Sequence, residues 1–181
     1  MSFCHHIAFV VLPSVRRLSV NFLHSGDDSQ NILLASNAGY GFITTIGDLL
    51  SKKKAGKVSL SLSGNAKVMR VTKVDDLENQ FVAVTTNRGR LLVFPISELP
   101  VLSKGKGNKL IQIPSQEMKS GEEFVVSICV LLETQNLKVT AGKRHLTIKF
   151  QDLNNYIGKR ARRGNLLPKG YQNLSKIEKS D

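Results

Sequence analysis

"FVAVTTNRGRLLVFPISELPVLSKGKGNKLIQI", residues 81–113, holds the pattern on which the whole architecture is built. A β-rich run, Phe81 to Thr85, leads into the turn "NRG", where Asn and Gly tolerate the positive φ that hairpin loops demand. A second run, "RLLVFP", returns. Glu98-Leu99 then reads as a turn or a single helical turn. The basic loop "KGKGNK" (104–109) follows, and "LIQI" resumes the apolar pattern. Laid over "ILLASNAGYGFITTIGDLLSKKKAGKVSLSL" (32–62), Gly39 falls on Gly89 and Asp48-Leu49 on Glu98-Leu99. The basic loops coincide after a two-residue insertion. A weaker third copy, "LKVTAGKRHLTIKFQDLNNYIGKRARRGNLL" (137–167), puts Gly142 at the turn, Asp152-Leu153 at the acidic-Leu step and Gly164-Asn165 opposite Gly107-Asn108.

Further β-like stretches, "KVMRVTKV" (67–74) and "FVVSICVLL" (124–132), lie between the copies. Each repeat therefore supplies about four short strands in roughly fifty residues. One such antiparallel sheet is too thin to bury its own faces, so several must pack side by side, as in a propeller. The expected class is all-β, a partial array of about three four-stranded blades over residues 26–170, with repeats near 32–80, 81–136 and 137–167. Pro95, Pro100 and Pro114 fall near strand ends, where a missing N–H costs least. "FQDLNNYI" (150–157) is the best helical candidate. Residues 1–25 match no copy and could supply a strand or two of an incomplete unit; residues 171–181 read as a polar tail that frays.

Charge points to a partner. Twenty-six Lys and Arg against 14 Asp and Glu give +12 in 181 residues. A basic domain most often meets a polyanion. The loops "KKKAGK" (52–57), "KGKGNK" (104–109) and "KRARRGN" (159–165) hold eleven of the 26 basic residues, all at one place in the repeat. In a stacked or circular array, equivalent places line one rim, so three clusters become one track. The candidate set is Lys52, Lys53, Lys54, Lys57, Lys104, Lys106, Lys109, Lys159, Arg160, Arg162 and Arg163, with Lys143 and Arg144 at the third turn. Lysines supply point charge, and the arginines could grip phosphates in a bidentate way. Gly56, Gly105, Gly107 and Gly164 could let the backbone N–H groups approach phosphate.

Other chemistry is poorly supplied. Aromatics are 6% and Trp is absent, which argues against the stacking platforms of single-strand binders; Tyr40 and Phe42 read as packing residues. No recognition helix is visible, so duplex DNA held by its backbone is the implied partner. "GKGNK" lacks the GxxxxGK[ST] spacing of a phosphate-binding loop. Asp27-Asp28 and Asp75-Asp76 lie in turn-like settings. Adjacent Cys4-His5-His6 cannot easily converge on one ion. Cys4 and Cys129 are the only cysteines and form no disulfide framework. "IAFVVL" (7–12) lacks the flank and length of a secretory signal and reads as a buried strand, in keeping with a cytoplasmic location. A protein-interaction module with an acidic partner is the alternative.

"LLASNAGYGF", "GRLLVFPISELPVLSKGKGNKLIQIP" and the closing "GKR…ARRGNLLPKG" resemble the C-terminal domains of bacterial DNA topoisomerase IV A subunits, relatives of the gyrase A C-terminal domain, over residues 30–170. The resemblance implies a β-pinwheel that bends duplex DNA along its basic rim. The parent enzyme it implies relaxes supercoils and unlinks chromosomes beside the nucleoid, with a second A subunit, ATP on a separate B subunit, and Mg²⁺ at the cleavage site. It implies no cofactor and no catalytic residue in this chain: Tyr40, Tyr156 and Tyr171 lie inside the pinwheel match, away from any breakage-reunion core. Gyrase carries a "QRRGGKG"-type box; here Gly105, Lys106 and Gly107 remain without the double arginine, which favours topoisomerase IV over gyrase-type DNA wrapping.

Overall fold

A computed structural model describes residues 27–50 and 57–180. Three antiparallel hairpins carry it. They are β1 (Asn31–Ser36) with β2 (Tyr40–Thr45), β4 (Gln80–Thr86) with β5 (Arg90–Pro95), and β8 (Asn136–Ala141) with β9 (Arg144–Ile148). Their turns contain Gly39, Gly89 and Gly142, at φ of 78°, 74° and 61°. After each hairpin the acidic-Leu step forms one short helical segment: α1 (Ile46–Leu49), then 3₁₀ turns at Ile96–Glu98 and Phe150–Asn155. The leucine of each step, Leu49, Leu99 and Leu153, is buried, which explains why the dipeptide recurs.

β3 (Thr72–Lys73) pairs with β1, β7 (Val125–Leu132) with β4, and β11 (Lys176–Ser180) with β8. The fourth strand differs from the simple reading of one repeat per sheet. β6 (Asn108–Lys109), from the second repeat, joins β2 of the first sheet. β10 (Asn165–Leu166), from the third repeat, joins β5 of the second. The sheets run β3-β1-β2-β6, β10-β5-β4-β7 and β11-β8-β9, so the last has three strands among the described residues. The second and third repeats thus reach onto their predecessors before returning to their own sheets.

Face-to-face stacking explains the unbroken apolar runs. Leu33, Ala35 and Ile43 meet Val82, Val84, Leu92 and Phe94 in one cluster. Ala83, Leu91 and Val93, on the opposite face of the second sheet, meet Leu137, Val139 and Ala141. A strand buried on both faces cannot alternate in polarity. β8 does alternate, because one of its faces lies in solvent.

Two expectations need correction. The polar tail carries β11, paired with β8 from Lys176↔Thr140 to Ser180↔Asn136. Only Leu174 and Ile177 are buried there, with Tyr171 packed at the core's margin, so its composition resembles a fraying end. A second helix, α2 (Ser115–Ser120), closed by Gly121 at φ 77°, follows Pro114 where none was expected. Asp76 does serve a turn: its carboxylate accepts from the Glu78 and Asn79 amides and the Asn79 side chain. The strands expected within residues 1–25 lie outside the described residues.

Candidate nucleic-acid interface

The second and third basic loops lie along the edges of the sheets before them by matching bonds. The Ile43 N–H donates to Pro100 O and the Leu102 N–H to Ile43 O, at 2.9 and 2.8 Å. One sheet on, the Val93 N–H donates to Tyr156 O and the Gly158 N–H to Val93 O, at 2.8 and 2.9 Å. The Leu110 N–H then closes onto Gly39 O, and the Leu167 N–H onto Gly89 O. Loops 104–109 and 159–165 therefore occupy the same place on successive sheets. Of the first loop, Lys52, Lys53, Lys54 and Gly56 lie outside the described residues, and the Lys57 Nζ donates to Asp48 O at 2.7 Å, at the end of α1.

The loop glycines have another duty than the one expected from sequence. The Gly105 N–H donates to Ser59 O, so it is not free for phosphate, and its carbonyl accepts from the Ser61 N–H. Gly107 and Gly164 sit at φ of 74° and 71°. A Cβ on Gly107 would overlap the Gly41 carbonyl, and one on Gly164 would lie 2.7 Å from Leu91 O. These glycines let the exchanged strand close onto its host.

The basic side chains divide into two groups. Lys104, Lys106, Lys143, Arg144, Lys159 and Arg162 are exposed, and Lys109 is half-buried. Among the described residues, none of these seven has a carboxylate within 4.0 Å. Lys143 and Arg144 sit at the β8–β9 turn instead of on a glycine loop. Arg160 and Arg163 are committed to protein. Arg160 donates from its backbone N–H to Glu98 Oε2, from Nε to Glu98 O and from Nη1 to Lys109 O. Arg163 donates to both carboxylate oxygens of the fully buried Glu123 and to Gln112 O. The Thr86 hydroxyl adds a bond to Glu123 at 2.9 Å. Burial disfavours the Glu123 charge, but the bonds from Arg163 and Thr86, with the neighbouring Glu117 side chain, outweigh it and hold its pKa below the usual 4.5. The expected phosphate grip by these two arginines is thus replaced by a joint between repeats.

Residues that sequence reasoning did not assign to the site complete it. Tyr40 carries Lys106 Nζ 4.0 Å above its ring centroid, with Lys109 Nζ at 5.9 Å. Both lysines, Tyr40, Met118 and Lys119 of α2 line a groove of about 350 Å³. Only the register Tyr40↔Lys109, invisible in a linear reading, reveals that grouping. The described residues gather no three His, Cys, Asp or Glu side chains fit to hold a metal. Cys129 is buried, and burial pushes its thiol up to about 11, which suits packing and not nucleophilic attack. No described helix is long and apolar enough to cross a membrane.

The family model described as the DNA gyrase C-terminal domain, a β-propeller, matches residues 30–75 and 80–128, more than half of the chain. The A subunit of DNA topoisomerase 4 from Pseudomonas aeruginosa is 45% identical over 151 residues, 83% of this chain and 20% of that protein. Its same-named counterpart from Escherichia coli K12 is 40% identical over 160 residues, 88% of this chain and 21% of that one. The chain spans about one fifth of the length of these relatives. Among solved structures, the E. coli ParC C-terminal domain superposes with a TM-score of 0.79 at 40% identity, over 86% of this chain and 62% of that one. A DNA gyrase A C-terminal domain shares the fold, with a TM-score of 0.63 at 14% identity over 96% and 64% of the two chains.

Proposed function

The chain belongs to the DNA gyrase C-terminal β-propeller family, and from that premise we propose that it binds duplex DNA by its backbone, with little sequence preference, and bends it along the rim. One observation carries this reading: loops 104–109 and 159–165 are seated by matching bonds on successive sheets, and unpaired lysines are exposed on both. Ammonium groups without carboxylate partners are free to replace the counterions of a phosphate backbone. Bending follows because a rigid series of charges on stacked sheets attracts the duplex at successive points.

In a longer protein of the topoisomerase IV type, the rim would engage DNA segments that the parent enzyme passes through one another as it relaxes supercoils and unlinks chromosomes beside the nucleoid in the cytoplasm. Strand cleavage with Mg²⁺, the second copy of the longer protein, and ATP hydrolysis on the B subunit would lie outside this chain. Absence of the double arginine near Gly105 favours bending over tight gyrase-like wrapping.

The test is affinity for unrelated duplexes across a salt series. With six to ten phosphates neutralised, binding falls on the order of 10³–10⁵-fold between 50 and 200 mM salt. Replacing Lys104, Lys106 and Lys109 by Glu lowers affinity on the order of 10²–10³-fold near 0.1 M salt. A flat salt response, a strong preference for one sequence, or unchanged binding by the triple variant refutes the reading. An acidic protein partner would then be the reading to pursue.

A further inference from the structure

We infer that Tyr40 is a positioning residue, whose ring gathers Lys106 and Lys109 into a preformed seat for one backbone phosphate of the duplex. The inference rests on the DNA-binding reading above and assigns a role to a side chain that bears no charge itself.

The seat is built from the strand exchange. Gly107 packs against the Gly41 carbonyl with no room for a Cβ, which presses β6 onto β2. In that register Lys109 stands directly opposite Tyr40, and Gly41 opposite Asn108. Cross-strand neighbours interact through their side chains. The loop then carries Lys106 back over the ring, 4.0 Å from its centroid, while Lys109 Nζ lies at 5.9 Å. Both distances fall inside the reach of a cation–π contact. Two like charges on flexible stems would otherwise separate and lose rotamer order. The ring attracts both, and an anion between them relieves their repulsion. A phosphate bound there finds the lysines already placed, so less ordering cost remains at binding.

The second sheet shows the alternative. Arg90 occupies the position of Tyr40, opposite Leu166, and its Nη1 donates to Gly164 O at 3.1 Å. There the cation holds the backbone of the exchanged strand and gathers no partner charge. The aromatic seat is thus specific to the middle loop among the described residues. The groove at this seat, with Lys119 also on its lining, leaves room for a bound group.

The experiment measures duplex affinity of the 181-residue chain at fixed salt near 0.1 M. The variants are Tyr40→Phe, Tyr40→Leu, Lys106→Met, and Tyr40→Leu combined with Lys106→Met. Thermal unfolding is recorded for each. Tyr40→Leu is expected to weaken binding about two- to five-fold, and Tyr40→Phe to restore it, because the ring face and not the hydroxyl acts. In the Lys106→Met background, Tyr40→Leu should cost distinctly less. Wild-type affinity in Tyr40→Leu overturns the inference. So does an equal loss in Tyr40→Phe, or an undiminished loss in the Lys106→Met background. The variant with Lys104, Lys106 and Lys109 replaced by Glu is measured alongside. If it loses binding while Tyr40→Leu does not, only the positioning role falls; if it binds as wild type, the DNA track falls with it.

Discussion

Loops 104–109 and 159–165 hold the same place in the repeat and use the same backbone bonds, yet their cations do different work. In the middle loop the lysines have no carboxylate within 4.0 Å among the described residues, and Lys106 rests on Tyr40. In the third, Arg160 and Arg163 turn inward, onto Glu98, Lys109 O, Gln112 O and Glu123. The difference follows from the side chains. A planar guanidinium can satisfy several acceptors in one fixed geometry, which suits a joint. An ammonium on a flexible stem stays hydrated, which suits a surface that exchanges counterions for phosphates. A basic count by itself therefore overstates the DNA track: Lys159 and Arg162 remain exposed in the third loop, while its other two cations hold repeats together.

Arg163→Ala should have the largest effect of the substitutions that separate the two loops. It leaves the Glu123 carboxylate buried without its cation, and stability should fall by about 3 kcal/mol in chemical denaturation. The slope of affinity against salt should stay unchanged, since Arg163 contacts no phosphate in this reading. A lowered slope with intact stability would return Arg163 to the DNA track. Arg160→Lys is a milder probe. It keeps the charge and the backbone bond to Glu98, but loses the fork that reaches Glu98 O and Lys109 O together. A cost of about 1 kcal/mol is expected by the same measurement.

The smallest effect should appear in pH. The folded pKa of Glu123 lies below its ordinary 4.5, so its contribution is fully present above that value. It is lost as pH falls through the lower folded pKa. Glu123→Gln should therefore be less stable than the wild type near neutrality and lose less on acidification. An identical acid limb in both proteins would remove Glu123 from the joint.

Much of the fold is legible in order along the chain. Gly39, Gly89 and Gly142 mark turns because a tight hairpin needs positive φ, and the acidic-Leu steps mark short helical segments because each leucine plugs the core. β11 is illegible for a local reason too: with Ile177 its one buried residue, too little apolar pattern remains to separate a strand from a tail. At the site, the exposed lysines of the middle loop were legible as a charged cluster. The duties of Gly105 and Gly107 were not, because the atoms they meet belong to another repeat.

Turns, apolar strands and basic loops can be read along the chain because each depends on residues within a few positions of one another, and the repeats emerge because these local patterns recur at a period of roughly fifty residues. Only the tertiary structure decided which sheet receives each loop, which cations are consumed and which remain exposed. Arg163 finds Glu123 at a separation of 40 residues, and Arg160 finds Glu98 at 62. Such partners become neighbours only when the second and third repeats lay their loops on the sheets before them, where β6 and β10 can close against their hosts.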